Sequence, residues 1–203
     1  MAKIVLGYDA ADAAARRQAA MPRHLAALRP PHAAGVFRFA APLLAAPGGA
    51  PNGSLLVLTD AGLAPYLAAE PFITEGVWSR HEVLEFAPAD GLGFRPLPEP
   101  GAAPVAATAV VAMDGDDAGA GARRLAARPK HFARVADDAR AGRLILGGAI
   151  LDGGGAMVGS LAILAMPTPE AFAWVAADPY VAGDVWRCIA MHPTVLAPLP
   201  PET

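Results

Sequence analysis

Two histidines and two carboxylates stand in matching places along this chain. His131 follows Arg128-Pro129-Lys130, and Asp178 precedes Pro179-Tyr180; His24 follows Met21-Pro22-Arg23, and Glu70 precedes Pro71-Phe72. A histidine titrates near neutral pH and can take or give a proton under working conditions. A carboxylate on its far nitrogen fixes tautomer and ring direction and stabilises the imidazolium. Such a pair suits general acid–base catalysis, which contributes about 10²–10⁴-fold in rate. The plainer alternative is a pair that ties two helix ends together. His131 with Asp178 and His24 with Glu70 are therefore the candidate proton-transfer groups. The His24–Glu70 pair is the weaker candidate, because Glu70 is a methylene longer than Asp178 and Met21 stands where Arg128 does. Ser160, Ser54 and Arg128 are candidate substrate-binding groups. A serine nucleophile would need a base within hydrogen-bond reach, and a small residue opening a strand is the blander reading. Arg128 suits a carboxylate or phenolate.

The matching places belong to a repeat. The segment Arg16–Leu25 recurs as Arg123–Phe132, Asn52–Leu55 as Val158–Leu161, Ala69–Phe72 as Ala177–Tyr180, and Val77-Trp78 as Val185-Trp186. The offset stays near about 107 positions, the length of a small domain rather than of a solenoid unit. The expected division is 1–88, a Pro/Gly-rich linker over 89–104, and 105–203. A unit of under about 100 residues has a thin core, and pairing with its twin enlarges the buried surface.

Local pattern orders each copy as β-α-β-β-α-β. Copy one reads as strands Lys3–Tyr8, Val36–Ala41, Leu55–Asp60 and Val77–Phe86, with helices Ala13–Leu28 and Leu63–Ala69. Copy two reads as strands Ala107–Ala112, Leu144–Leu151, Met157–Ala165 and Val185–Met191, with helices Arg123–Arg140 and Ala171–Ala177. Leu125, Phe132, Val135 and Ala139 fall on one stripe of the long helix. Gly142 is placed for a left-handed cap, Asp152–Gly155 for a hairpin turn, and Thr168 for an N-cap before Pro169. The predicted class is α+β: two ferredoxin-like domains whose sheets pack face to face as an internal pseudo-dimer. The proline after Glu70 and Asp178 puts each carboxylate on extended backbone at a helix end.

The order of these motifs resembles the YciI-like (YCII-related) family, present as a tandem. Copy two carries Asp116, Arg123, Arg128-Pro129-Lys130-His131, Gly159-Ser160 and Asp178-Pro179-Tyr180. Copy one carries Asp9, Arg16, Pro22-Arg23-His24-Leu25, Gly53-Ser54 and Pro71-Phe72, and departs at Met21 and Glu70. The resemblance implies a dimeric α+β barrel, a His–Asp pair in a pocket, and chemistry of the lyase or dehalogenase kind.

Other features narrow the partners. The net charge is −3 over 203 residues, without the basic footprint of a nucleic-acid binder. No apolar run reaches the roughly 18 residues that cross a bilayer, and Cys188 is alone, so a disulfide framework is excluded and a cytoplasmic location is the default. Arg16-Arg17 and Arg123-Arg124 read as solvated helix faces. Asp114, Asp116 and Asp117 lack the glutamate of a calcium loop. His32, His81 and His192 have no metal-ligand spacing. The expectation is a small-molecule enzyme without metal or organic cofactor, acting by elimination or isomerisation on an organic acid. The alternatives are a non-catalytic ligand-binding module and a cofactor-free oxygenase. A further homodimer is compatible with either.

Overall fold

The computed structural model describes residues 1–94 and 103–200. The first half contains β1 (Ala2–Asp9), α1 (Ala14–Ala33), β2 (Phe37–Leu44), β3 (Pro51–Thr59), α2 (Asp60–Ala69), α3 (Pro71–Thr74) and β4 (Trp78–Pro88). The second contains β5 (Val105–Asp114), α4 (Ala120–Ala141), β6 (Leu144–Leu151), β7 (Met157–Leu164), α5 (Thr168–Ala176), α6 (Pro179–Ala182) and β8 (Trp186–Leu196). Every expected strand and long helix is present. A 3-10 turn at Asp90–Leu92 follows β4. Positions 95–102 of the expected linker lie outside the described residues.

Each half forms an antiparallel sheet in the order fourth, first, third, second, as a ferredoxin-like unit requires, and the two sheets close into one barrel, β1-β3-β2-β8-β5-β7-β6-β4. The sheets face each other and also join along their edges. The two seams are unequal. β4 meets β6 over four pairs from Glu85–Leu151 to Pro88–Gly148, whereas β2 meets β8 at Leu43–Thr194, helped by the Thr194 hydroxyl donating to Pro42 O at 2.6 Å. Pro42 has no N–H to give, which limits the ladder there.

Helices cover the outside of both sheets, so the inner strands β1, β3, β5 and β7 are largely buried on two faces. That is why β3 reads Leu55-Leu56-Val57-Leu58 without polar alternation. Leu55 and Val57 join Ile4, Leu6, Phe39 and Phe86 inside the barrel, against Ala109, Val111, Ile150, Leu161 and Ile163 of the other half. Leu56 and Leu58 pack outward beneath α1–α3 with Val5, Tyr66 and Phe72. Val110, Leu164, Val135, Trp174 and Tyr180 form the equivalent layer beneath α4–α6.

Gly142 caps α4 at φ 74° as expected, and Asp152 accepts from Gly154 N and Ala156 N in the predicted hairpin. Two expectations are corrected. Thr168 is the first helical residue, with Pro167 at the cap, and its hydroxyl lies 3.2 Å from that of Thr108 instead of capping the helix. Leu125 is 72% exposed, because the buried face of α4 passes through Arg124, Val135, Asp138 and Ala139.

Candidate functional site

The site in the second half is built from one face of α4. Arg124, Arg128, His131 and Val135 follow i, i+4, i+7, i+11 spacing and so share a side of the helix. All four line a cavity of about 180 Å³ between α4 and the outer face of the β6–β7 sheet. Ser160, Trp174, Tyr180 and Trp186 complete the wall, and Ala87, Pro88, Ala89 and Leu92 come from the first half. One half therefore roofs the other's cavity.

Asp178 caps α6 on extended backbone, φ −76° and ψ 135°, as the following proline dictates. Its side chain is fully buried. Oδ1 accepts from His131 Nδ1 at 2.9 Å and from Tyr180 N at 2.9 Å. Oδ2 accepts from Arg134 Nη1 at 2.9 Å. A carboxylate only accepts, so the hydrogen of the neutral His131 ring sits on Nδ1 and Nε2 keeps its lone pair. Nε2 has no hydrogen-bond partner among the described residues. The ring stacks on Tyr180 at 3.9 Å between centroids and meets Trp186 edge-on at 5.6 Å. Burial pushes the Tyr180 phenol up, so it stays neutral at neutral pH.

A second network lies beside it. Arg124 Nη1 donates to both oxygens of Asp114 at 2.8 Å; Nη2 donates to Gly159 O at 3.0 Å and Ser160 Oγ at 2.9 Å. Trp186 Nε1 donates to the same Ser160 oxygen at 3.2 Å. Gly159 explains the Gly-Ser motif: a Cβ there would lie 2.6 Å from Ala112 O. Burial raises the Asp114 carboxyl above its ordinary value, against the pull of Arg124. Arg128 lies over the Phe132 ring at 4.5 Å, at the exposed rim.

The first half repeats this construction. Arg17 donates to Asp9, to Gly53 O and to Ser54 Oγ at 3.1 Å. His24 Nδ1 meets Glu70 Oε1 at 2.7 Å, and its ring stacks on Phe72 at 4.0 Å. It differs in its satisfaction of polar groups. Trp78 Nε1 is buried without a hydrogen-bond partner there, and the buried Tyr66 hydroxyl and Glu70 carboxylate interact with each other without a well-formed hydrogen bond. An open groove runs along α1 past Arg17, Met21 and Leu25 towards Pro200, and His24 is not part of its wall.

All the predicted site residues thus fall into two clusters, His131–Asp178–Arg128–Ser160 and His24–Glu70–Ser54, with Met21 in place of the second cation. Sequence reasoning missed Arg124, Asp114 and Arg17. It assigned the motif to Arg16, Arg123 and Asp116, but Arg16 pairs on the surface with Asp12 and Arg123 with Asp117. The signal was available: Arg124, Arg128 and His131 share helical spacing, and Arg123 does not. Cys188 is exposed on β8, and among the described residues no group of three His, Cys, Asp or Glu could hold a metal. No described helix is long and apolar enough to cross a membrane.

A family model for the YCII-related domain matches residues 107–193, from β5 to β8 and across Arg124, Arg128, His131, Ser160 and Asp178. No curated protein matches the chain. Among solved structures, a putative monooxygenase from Fusobacterium nucleatum is similar over 97% of this chain and 92% of its own, at 9% identity and TM-score 0.59. A putative monooxygenase from Lactobacillus acidophilus is similar over 95% and 91%, at 10% identity and TM-score 0.55. A 5-chloro-2-hydroxyhydroquinone dehydrochlorinase from Burkholderia phenoliruptrix covers 45% of this chain and 98% of its own, at 20% identity and TM-score 0.40. The two full-length likenesses are likenesses of fold: a dimeric α+β barrel in one chain, with the segment that matches the YCII-related model in its second half.

Proposed function

We propose that the YCII-related domain is a cofactor-independent proton-transfer enzyme acting on a small organic acid. The observation that carries this is the placing of His131. One ring nitrogen is anchored on fully buried Asp178, and the ring lines a cavity with Arg128 and Ser160. The cavity holds about six waters' volume, enough for a single-ring acid. Nε2 takes a proton from the substrate carbon, and Asp178 stabilises the resulting imidazolium. The electron pair of the broken C–H bond then forms a double bond, either expelling a leaving group from the neighbouring carbon or shifting an adjacent double bond while the imidazolium returns its proton to a different carbon. Arg128 at the rim attracts the acid's negative oxygen.

A second reading is a non-catalytic pocket. The first half favours it, since His24 and Glu70 keep the same bond without lining the neighbouring groove. The test compares His131→Ala and Asp178→Asn with the parent, following melting and turnover on a panel of chlorinated phenolic acids. Loss of turnover with melting preserved supports catalysis. A parent that turns over none of the panel, with both variants melting far lower, supports the scaffold.

A further inference from the structure

Arg134 lies one turn beyond His131 on α4, and at the equivalent place on α1 stands Ala27. Its Nη1 donates to Asp178 Oδ2 at 2.9 Å and its Nη2 to Trp174 O at 2.7 Å. Its guanidinium also lies 4.4 Å from the Trp174 ring centroid. Asp178 is therefore bonded at both oxygens, by a ring N–H, a backbone N–H and a guanidinium. Glu70, also fully buried, has the first two, but no arginine pairs with it among the described residues; the Tyr66 hydroxyl is its other polar neighbour.

We infer that Arg134 is a positioning residue: it balances the buried charge of Asp178, so that His131 need not, and leaves Nε2 unprotonated towards the cavity. An isolated carboxylate in the interior is costly and draws a cation or a proton to itself. Of the groups near it, Arg124 is bidentate on Asp114, Arg128 is at the rim over Phe132, and Tyr180 is neutral. Trp186 carries no charge. Arg134 is the cation that touches Asp178, and the His131 ring beside it is positive only when doubly protonated. With the guanidinium there, the carboxylate can orient the ring without holding it permanently as imidazolium. This rests on the proton-transfer reading, in which a neutral Nε2 is the base.

The experiment needs no substrate. Ring nitrogens of histidine-labelled protein are followed by nitrogen NMR at about pH 7.5, with His131 and His24 assigned through His131→Gln and His24→Gln. Replacing Arg134 by Met removes the cation, and the doubly protonated share of His131 rises about tenfold. Arg134→Lys restores a cation and most of the bare Nε2 signal. If Arg134→Met lowers melting yet leaves the His131 ring signals unchanged, the residue is a tether between α4 and α5 and the inference fails. Should Arg134→Met not fold, Ala27→Arg reads the same physics in the other half: a cation beside Glu70 lowers the doubly protonated share of His24. An unchanged His24 there overturns the inference. Absence of turnover in the parent bears on the proposed function and leaves these signals as stated.

Discussion

Arg124 Nη2 lies 2.9 Å from Ser160 Oγ, and the same oxygen accepts from Trp186 Nε1 at 3.2 Å. With both lone pairs engaged by N–H donors, the hydroxyl has a proton to offer and no base to activate it. In the proposed function, Ser160 is a donor to the acid rather than a nucleophile. Ser160→Ala is expected to raise KM or Kd about tenfold, the value of one hydrogen bond, with kcat little changed. A covalent adduct on Ser160, seen by intact mass, would contradict this.

Asp178 serves two ends, since it anchors His131 and caps α6. Asp178→Asn keeps a cap oxygen, so its chief effect is on turnover, a fall of about 10²-fold or more. Asp178→Ala removes both and leaves Arg134 without its carboxylate, holding only Trp174. The expected loss is about 3–5 kcal/mol, read by urea unfolding. Equal stability of the two variants would contradict the double role.

Gly159 and Gly153 separate backbone approach from mere glycine content. A Cβ on Gly159 would lie 2.6 Å from Ala112 O, while one on Gly153 meets nothing within 4 Å. Gly159→Ala is expected to cost about 1–3 kcal/mol, a drop of several degrees in melting temperature, and to disturb the Arg124 bond to the same residue's carbonyl. Gly153→Ala stays within about 0.5 kcal/mol.

His192 predicts a pH dependence. Ile189 and Met191 of β8 pack beneath the helices, and alternation turns His192 to the barrel side. Burial lowers its pKa below the ordinary 6.5. The folded chain resists a proton that the unfolded chain accepts. The stability tied to neutral His192 is complete above that ordinary value and is lost as pH falls through it towards the folded value. His192→Leu should flatten the fall in melting temperature between about pH 7 and 5, measured against the parent. Identical slopes would contradict it.

Much of this architecture is legible in the sequence because the chain carries it twice. The repeat fixes strand and helix order, and alternating turn chemistry marks Gly142 and Asp152–Gly155. The His131–Asp178 pair is legible too, since Pro179 forces the carboxylate off the helical path. The buried arginines are less so. Arg16 and Arg17 are adjacent and chemically identical, and which one turns inward depends on helix rotation against the sheet. Arg134 is hidden because the repeat lacks it, and comparing the copies draws the eye to what they share. The cross-half roof formed by Ala87–Ala89 and Leu92 depends on how the barrel closes, which no local pattern encodes.

The central claim is that His131 moves a proton at a carbon of its ligand. The direct measurement is solvent-deuterium incorporation into a panel of small acids, including phenolic and α-acidic carboxylic acids, followed by proton NMR in heavy water with parent and His131→Gln. The account predicts exchange at one carbon position of at least one acid in the parent, and a rate about 10²–10⁴-fold lower in His131→Gln at matched melting temperature. Equal exchange in the two proteins, or an acid that binds in the cavity of the parent and exchanges nothing, would contradict it.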